Sequence, residues 1–579
     1  MFTRRQFITS CLSATGSFAL PPIPLDHPSL QKRPNIIFFL VDDMGWQDVS
    51  LPFWRTPAGA PRTTFLNKRY HTPNLERLAK RGMMFTDAYA QPICSPTRVS
   101  LLTGMNSARH HVTNWTLFRD TNNDERAHPT LAPLTDWAIN GVQPQNTPPS
   151  GITTRPLSRD PFTYTIKKPY TCATALPQLL AQAGYITIHC GKAHFGAKDT
   201  PGADPQNFGF HYNIAGTEIG GLANYRGKNH YGQGPFHIQG LDEDTYYTHD
   251  IVVMDALTQK AIHRLDALRS DPTQATRPFY LYMAHYAIHS PFTGDNCDPK
   301  TVNTYSDPKD GHPWNKNEQN YASLIEGTDR SLGTLMDWLD KNQLMDNTVI
   351  FFMSDNGGLA LRSSGRIGNQ ESNFPLSFGK GSLREGGIRE PMVVACPGLT
   401  PPGSICREPI IVEDFFPTIL EIAGIYPNHL QQTLDGSSFV QLLHNPSSGK
   451  KPRALLFHQP NLWGEGSRHD PHYGAGTALR YGKWKLIYWH ASQQFELFNL
   501  EEDISETQNL AKQLPQHVAQ LVQKMELLLR ERQAQFTSYK INIPELRIQK
   551  GDRVPWPIEA FLHWQIRSRN PNPHNRPKT

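Results

Sequence analysis

Cysteine is scarce in this chain: seven residues in 579, an odd number at positions 11, 94, 172, 190, 297, 396 and 406, with no CxxC pair. That argues against a disulfide scaffold and against a zinc ribbon, and leaves open only an isolated bridge such as Cys396–Cys406. Long apolar runs are lacking too. The body of the chain has no stretch of eighteen apolar residues, so no stable membrane insertion is expected there. Charge of one sign is also missing, since 57 Lys+Arg against 52 Asp+Glu leave +5 over the whole chain, with an isoelectric point near 8.7. So diffuse a bias does not make a nucleic-acid binder. What is present is a 38% hydrophobic and 10% aromatic content, enough for a sizeable core. Its 42 Gly and 48 Pro point to many turns and long ordered loops.

The N-terminus has its own pattern. Met1–Arg5 is basic, Phe7–Leu20 is mostly apolar and small, and Pro21 onward is turn-like. That is the order of an export signal, placed at residues 1–30. Thr3–Ile8 carries Arg4-Arg5 and resembles a bacterial twin-arginine signal, so a periplasmic or secreted location is expected. Cys11 follows too short an apolar stretch to be a lipid-attachment site.

Asn35–Val41 is a continuous apolar run between Pro34 and Asp42-Asp43, the form of a strand buried on both faces. Tyr185–His189, Phe279–Ala284, Thr348–Met353 and Pro391–Ala395 are of the same kind. Between them, Thr72–Gly82 has a cap candidate, Pro at the first helical position and Gly past the end, and Ala173–Ala183 and Tyr321–Leu339 are helical in pattern. Strands alternating with helices predict an α/β fold with a largely parallel central sheet over residues 31–450. Residues 106–170 and 200–245 lack clean periodicity and are expected to be long loops shaping a substrate mouth. Trp484–Tyr488 and Phe495–Phe498 read as paired strands and Pro515–Arg532 as an amphipathic helix, which predicts a smaller α+β subdomain at 451–566. The Pro/Asn/Arg-rich end, 567–579, is expected to fray.

In open α/β sheets ligands bind beyond the carboxyl ends of the strands. Four apolar runs here end in chemistry: Asp42-Asp43, Ser354–Gly358 with Asp355 and Asn356, His189–His194 with Lys192, and His285–His289. Three carboxylates and an amide on two strand ends form an all-oxygen donor set, which suits Ca²⁺ or Mg²⁺ rather than zinc. In Cys94–Gly104, Ser95 and Pro96 open a helix that Gly104 ends, placing Cys94 at its N-terminus, where backbone N–H groups favour an anion. Arg98, four positions on, can grip an oxyanion from the same side. The residues alone thus suggest a nucleophile at an anion site beside a divalent cation, with a buried structural cysteine as the plain alternative.

Cys94-x-Pro-x-Arg98 followed by Leu101–Gly104 resembles the signature of the formylglycine-dependent sulfatases of the alkaline-phosphatase-like superfamily. Asn35–Asp43, Gly191–His194, Ser354–Gly358, Lys380–Pro391, Asp414–Thr418, Leu434–Gly436 and Lys485–Leu500 resemble further family motifs in the same order, covering roughly residues 33–512. The resemblance implies an alkaline-phosphatase-like α/β sandwich with a central mixed, mostly parallel sheet. It implies that a maturation enzyme oxidises Cys94 to formylglycine, whose hydrate attacks sulfur with one hydroxyl and later expels sulfate with the other. It implies that Asp42, Asp43, Asp355, Asn356 and modified Cys94 hold one calcium ion. Arg98 and Lys192 match residues that hold the diol, metal and sulfate, and His194 matches the base. Lys380 matches a sulfate contact, and His289 the histidine at the sulfate and leaving oxygen. His285 is read as structural, and Arg384 and Arg389 as surface residues. The expected activity is hydrolysis of sulfate esters, with a sulfated sugar of a polysaccharide or glycosaminoglycan as substrate. An aryl sulfatase, a phosphonate or phosphate-ester hydrolase and a non-catalytic glycan binder are the competitors.

Overall fold

A computed structural model of the chain describes residues 33–569 except 125–127, 148–151, 155–162, 167–168, 234–235, 237, 239, 242–243, 306–312, 361–372, 450–451 and 464–470. The export-signal reading of residues 1–30 lies outside the described residues.

The apolar runs form one nine-stranded sheet. In chain order its strands are β1 (Asn35–Val41), β2 (Met83–Tyr89), β3 (Ile186–Gly191), β4 (Tyr212–Ile214), β5 (Phe279–Ala284), β6 (Thr348–Ser354), β7 (Arg389–Ala395), β8 (Ser404–Cys406) and β9 (Ile410–Ile411). They lie side by side as β8-β2-β7-β6-β1-β5-β3-β4, with β9 also on β2. Only β7 runs against its neighbours, β6 and β2. The sheet is therefore mixed and mostly parallel, as expected.

Both faces are covered, which is why the strands carry apolar side chains in unbroken succession. On one face Ile37, Phe39 and Val41 share a core with Leu75, Leu257 and Leu324 of the helices Pro73–Arg81, Val253–Ser270 and Lys316–Lys341. On the other, Phe38 and Phe351 meet Phe415 edge-on, with ring centroids 5.1 and 5.6 Å apart, at the start of the helix Phe415–Ile422. The helix Cys94–Thr103 is buried along its whole length.

A second sheet follows: β10 (Ala454–Gln459), β11 (Gly476–Tyr481), β12 (Trp484–Trp489) and β13 (Gln494–Asn499), an antiparallel meander. Leu456, Leu479, Leu486 and Leu497 pack with Val518, Leu521 and Met525 of the helix Pro515–Glu531 and with Phe561 and Trp564 of the helix Pro557–Arg569. This last helix continues past residue 567, where fraying was expected to begin. Arg33 onward forms one compact unit. Cys396 and Cys406 are separate free thiols, so the bridge left open between them is not made. No helix among the described residues is long and apolar enough to cross a membrane.

Candidate active site

Register brings the chemistry together. Val41 lies opposite Ser354 in the β1–β6 pair, so Asp42-Asp43 and Asp355-Asn356 leave the sheet side by side. Ala284 lies opposite both Leu40 and Gly191, which delivers Lys192 and the segment 285–289 to the same edge. Because β7 is reversed, the segment before it, with Lys380, enters at that edge as well. β2 arrives there at Tyr89 and leads into the helix that begins with Cys94. That helix ends as expected: Gly104 takes a left-handed backbone (φ 70°) and its N–H returns to the Ser100 carbonyl at 2.8 Å.

Asp42, Asp43 and Asp355 converge, each offering a carboxylate oxygen within 4.8 Å of the others, and all three are buried. Lys192 Nζ donates to Asp42 Oδ2 at 2.7 Å, and Lys380 Nζ stands 2.7 Å from Asp43 Oδ1. The Asn356 amide nitrogen donates to Asp43 Oδ1 at 2.7 Å. Arg98 Nε donates to Asp355 Oδ2 and its NH1 to the Lys192 carbonyl, both at 2.8 Å. Two buried oxygens of this set, Asp42 Oδ1 and Asn356 Oδ1, have no hydrogen-bond partner. Burial and the neighbouring Asp355 push the Asp42 carboxyl well above its usual range. Burial acts on Asp43 as well, but Lys380, His289 and Lys192 outweigh it and hold that carboxyl below its usual range. Crowded carboxylates with unpaired oxygens fit a hard divalent cation, which would take those oxygens and relieve the repulsion.

Cys94, His194, His289 and Lys380 line one cavity of about 370 Å³. Burial pushes the Cys94 thiol up, with Lys192 and Lys380 opposing. His194 sits with φ 56° and its Nε2 meets the Thr116 carbonyl at 2.7 Å, so Nε2 carries the hydrogen. Its Nδ1 is left buried and unpartnered. His289 is the mirror case: Nδ1 meets the Ser290 carbonyl at 2.7 Å, and Nε2 is 3.7 Å from Asp43 Oδ2. Burial, then Lys380, lowers the His289 pKa to about 4. His285 lies apart from the cavity lining, its Nε2 2.9 Å from Ser331 Oγ, consistent with a structural place.

All ten residues singled out in the sequence meet at this edge. The cavity wall adds Trp115, Leu117, Leu222, Phe236 and Trp463, which no motif signalled individually. Trp115 and Phe236 come from the two segments, 106–170 and 200–245, expected to be mouth-forming loops, although the first also holds short strands and Tyr212–Ile214 of the second is β4 of the central sheet. One expectation is corrected: Arg384 and Arg389 are not surface residues. Both are 5% exposed, Arg384 paired with Glu496 at 2.8 Å and Arg389 with Asp87 at 3.0 Å. Their partners are too distant in sequence for any local pattern to reveal.

A mixed sheet with its acidic, basic and imidazole groups at one edge defines a hydrolase of the alkaline-phosphatase-like class. The chain belongs to the sulfatase family, whose model matches residues 34–425, and the model for the C-terminal part of N-sulphoglucosamine sulphohydrolase matches residues 376–535. It is 28% identical over 545 residues to a sulfatase of Formosa agariphila, covering 86% of this chain and 88% of that one. It is 27% identical to the N-acetylgalactosamine-6-sulfatase of Canis lupus familiaris, covering 83% and 76% respectively. Among solved structures, the crystal structure of Ps i-CgsB is similar with a TM-score of 0.62 and 25% identity, over 93% of this chain and 98% of that one. The protein is a sulfuric ester hydrolase.

Proposed function

We propose that this sulfatase removes sulfate from a sugar of a polysaccharide or glycosaminoglycan, outside the cytoplasm, after Cys94 has been converted to formylglycine by a maturation enzyme. The observation that carries the reading is the meeting of Cys94, His194, His289 and Lys380 in one cavity beside the Asp42–Asp43–Asp355 cluster. The relative named for N-acetylgalactosamine 6-sulfate and the aromatic cavity wall support a galactose-type ring as the alcohol released.

Formylglycine, when hydrated, supplies a hydroxyl nucleophile for sulfur. Asp42, Asp43, Asp355, Asn356 and residue 94 would hold a calcium ion, whose positive charge would acidify that hydroxyl and offset the sulfate. The remaining work falls to the chain. Lys380 offers its ammonium to a sulfate oxygen from the cavity floor. Arg98 and Lys192, anchored on Asp355 and Asp42, fix the nucleophile and sulfate in line. With its hydrogen committed to the Thr116 carbonyl, His194 presents the Nδ1 lone pair and takes a proton from the second hydroxyl of residue 94. With Nδ1–H committed to Ser290, His289 presents Nε2 to the departing oxygen and must be protonated there to donate. The aromatic wall excludes water and stacks on the sugar.

The test is a rate comparison on matched sulfate and phosphate esters of galactose and N-acetylgalactosamine. The reading requires a higher kcat/KM on a sulfated sugar than on its phosphate counterpart. A preference for the phosphate would overturn it.

A further inference from the structure

Residues 220–223, Gly-Gly-Leu-Ala, carry no ionisable side chain, yet they touch both imidazoles. An ideal Cβ built on Gly220 would lie 2.6 Å from Cε1 of His194 and 3.0–3.1 Å from its two ring nitrogens. One built on Gly221 would lie 2.8 Å from Nδ1 and 2.9 Å from Cε1 of His289. Neither glycine has a left-handed backbone, so space and not φ demands glycine at these positions. Both line the cavity that holds Cys94, as do Leu222 and Ala223. Among the described residues the backbone N–H and C=O groups of residues 220–223 find no hydrogen-bond partner, although Gly221 and Leu222 are buried. Buried backbone without a partner is rare in folded proteins and is normally completed by water or a ligand.

We infer that Gly220 and Gly221 are positioning residues of this active site, a shared backbone wall that sets His194 through one glycine and His289 through the next, and whose unpaired polar groups are left for the hydroxyls of the departing sugar. The inference rests on the roles given above to the two imidazoles. It divides the wall by function. Pressure from Gly221 falls on Nδ1 of His289, the atom whose bond to Ser290 aims Nε2 at the leaving oxygen. Pressure from Gly220 falls on the ring that serves residue 94.

Gly220→Ala and Gly221→Ala are compared in the mature, calcium-loaded full chain, on sulfate esters whose alcohols range from a sugar to nitrophenol. Displacing a reacting group by about 1 Å costs about 10²-fold. Gly221→Ala should lose that much kcat on the sugar sulfate and far less on nitrophenyl sulfate, because a nitrophenolate needs no proton to leave. Gly220→Ala should lose activity on both esters alike. In a His289→Ala background, Gly221→Ala should cost less than twofold, since the truncated ring leaves room for the methyl group. Equal losses from Gly221→Ala across the esters, or a loss that fully adds to that of His289→Ala, would overturn the assignment. If Gly221→Ala unfolds, the double variant decides: folding restored by His289→Ala supports the contact, and no restoration refutes it. A parent enzyme that releases sulfate from no ester would count against the proposed function instead, and the thermal coupling between the two substitutions would still be readable.

Discussion

Two buried clusters of charge meet along the stretch from Lys380 to Glu390, and they differ in how far their carboxylates are kept apart and satisfied. Where the two sheets join, opposite charges alternate: Lys485 Nζ lies 2.9 Å from both Glu385 and Glu506, Arg389 bridges Asp87 at 3.0 Å and Glu385 at 3.2 Å, and Arg480 reaches Asp87 at 3.0 Å. At the strand ends Lys192, Lys380 and Arg98 likewise pair with Asp42, Asp43 and Asp355, but the three carboxylates also crowd within 4.8 Å of one another, and Asp42 Oδ1 and Asn356 Oδ1 are left unpartnered. The carboxyl groups register the difference. Burial pushes Glu385 up, but Lys485, Arg389 and Arg480 outweigh it and bring it to about 2; at the strand ends Asp43 is likewise held low against burial by Lys380 and His289, whereas burial and Asp355 leave Asp42 raised. Buried charge that is answered within the chain holds the fold. Buried carboxylates crowded together with oxygens left over are set for something from outside.

The largest effect should come from the strand-end side. Cys94→Ala is expected to lower turnover of every sulfate ester by more than about 10³-fold while leaving the melting temperature unchanged. A large loss of stability would mean that Cys94 belongs with the structural cluster. On the other side, Lys485→Met removes the cation shared by two buried carboxylates, Glu385 and Glu506. Removing one partner of a buried pair costs about 3–5 kcal/mol, to be read from denaturant unfolding, with kcat per folded molecule altered much less. A cost under about 1 kcal/mol would erase the contrast between the clusters.

Acid sharpens the same contrast. The Glu385 carboxyl is lower in the fold, near 2, than its ordinary 4.5, so its contribution is complete above 4.5 and is lost as pH falls from 4.5 toward 2. That contribution is on the order of 3 kcal/mol. Unfolding free energy should fall through this window, and Glu385→Gln should flatten the fall; an unchanged slope in Glu385→Gln would show that other carboxylates govern it. A smaller and opposite response is expected at the strand ends. Calcium at about 100 times its Kd should add about 2.7 kcal/mol, reversed by chelation together with activity. Asp42→Asn should lose that increment. Stoichiometric zinc, or full activity after exhaustive chelation, would contradict the site.

Much of this arrangement can be read locally. Phe279–Ala284 has the bounds expected of it, and Asn35–Val41 is β1 from end to end, because a strand buried on both faces must be apolar throughout and is cut off by polar neighbours. The helix from Cys94 likewise has its own Pro96 in the first turn and is ended by Gly104, although it begins after Ile93. β2 is different: Met83–Tyr89 includes Thr86 and Asp87, which break the apolar run, and Asp87 is accommodated there by Arg389 and Arg480 from distant parts of the chain. The reversal of β7 and the burial of Arg384 and Arg389 depend on the same long-range pairing. The metal-ligand candidates and Cys94 stand in motifs and are legible for that reason. Gly220 and Gly221 carry no signal, since their part is to leave room for rings that lie elsewhere in the sequence.

Residue 94 is where the chemistry and the fold separate most sharply, and its covalent state can be read directly. Mass spectrometry of the peptide spanning Pro92–Arg98, taken from preparations of graded specific activity, should show the thiol replaced by a formyl group in proportion to turnover. A fully active preparation with only unmodified cysteine at position 94 would contradict the mechanism.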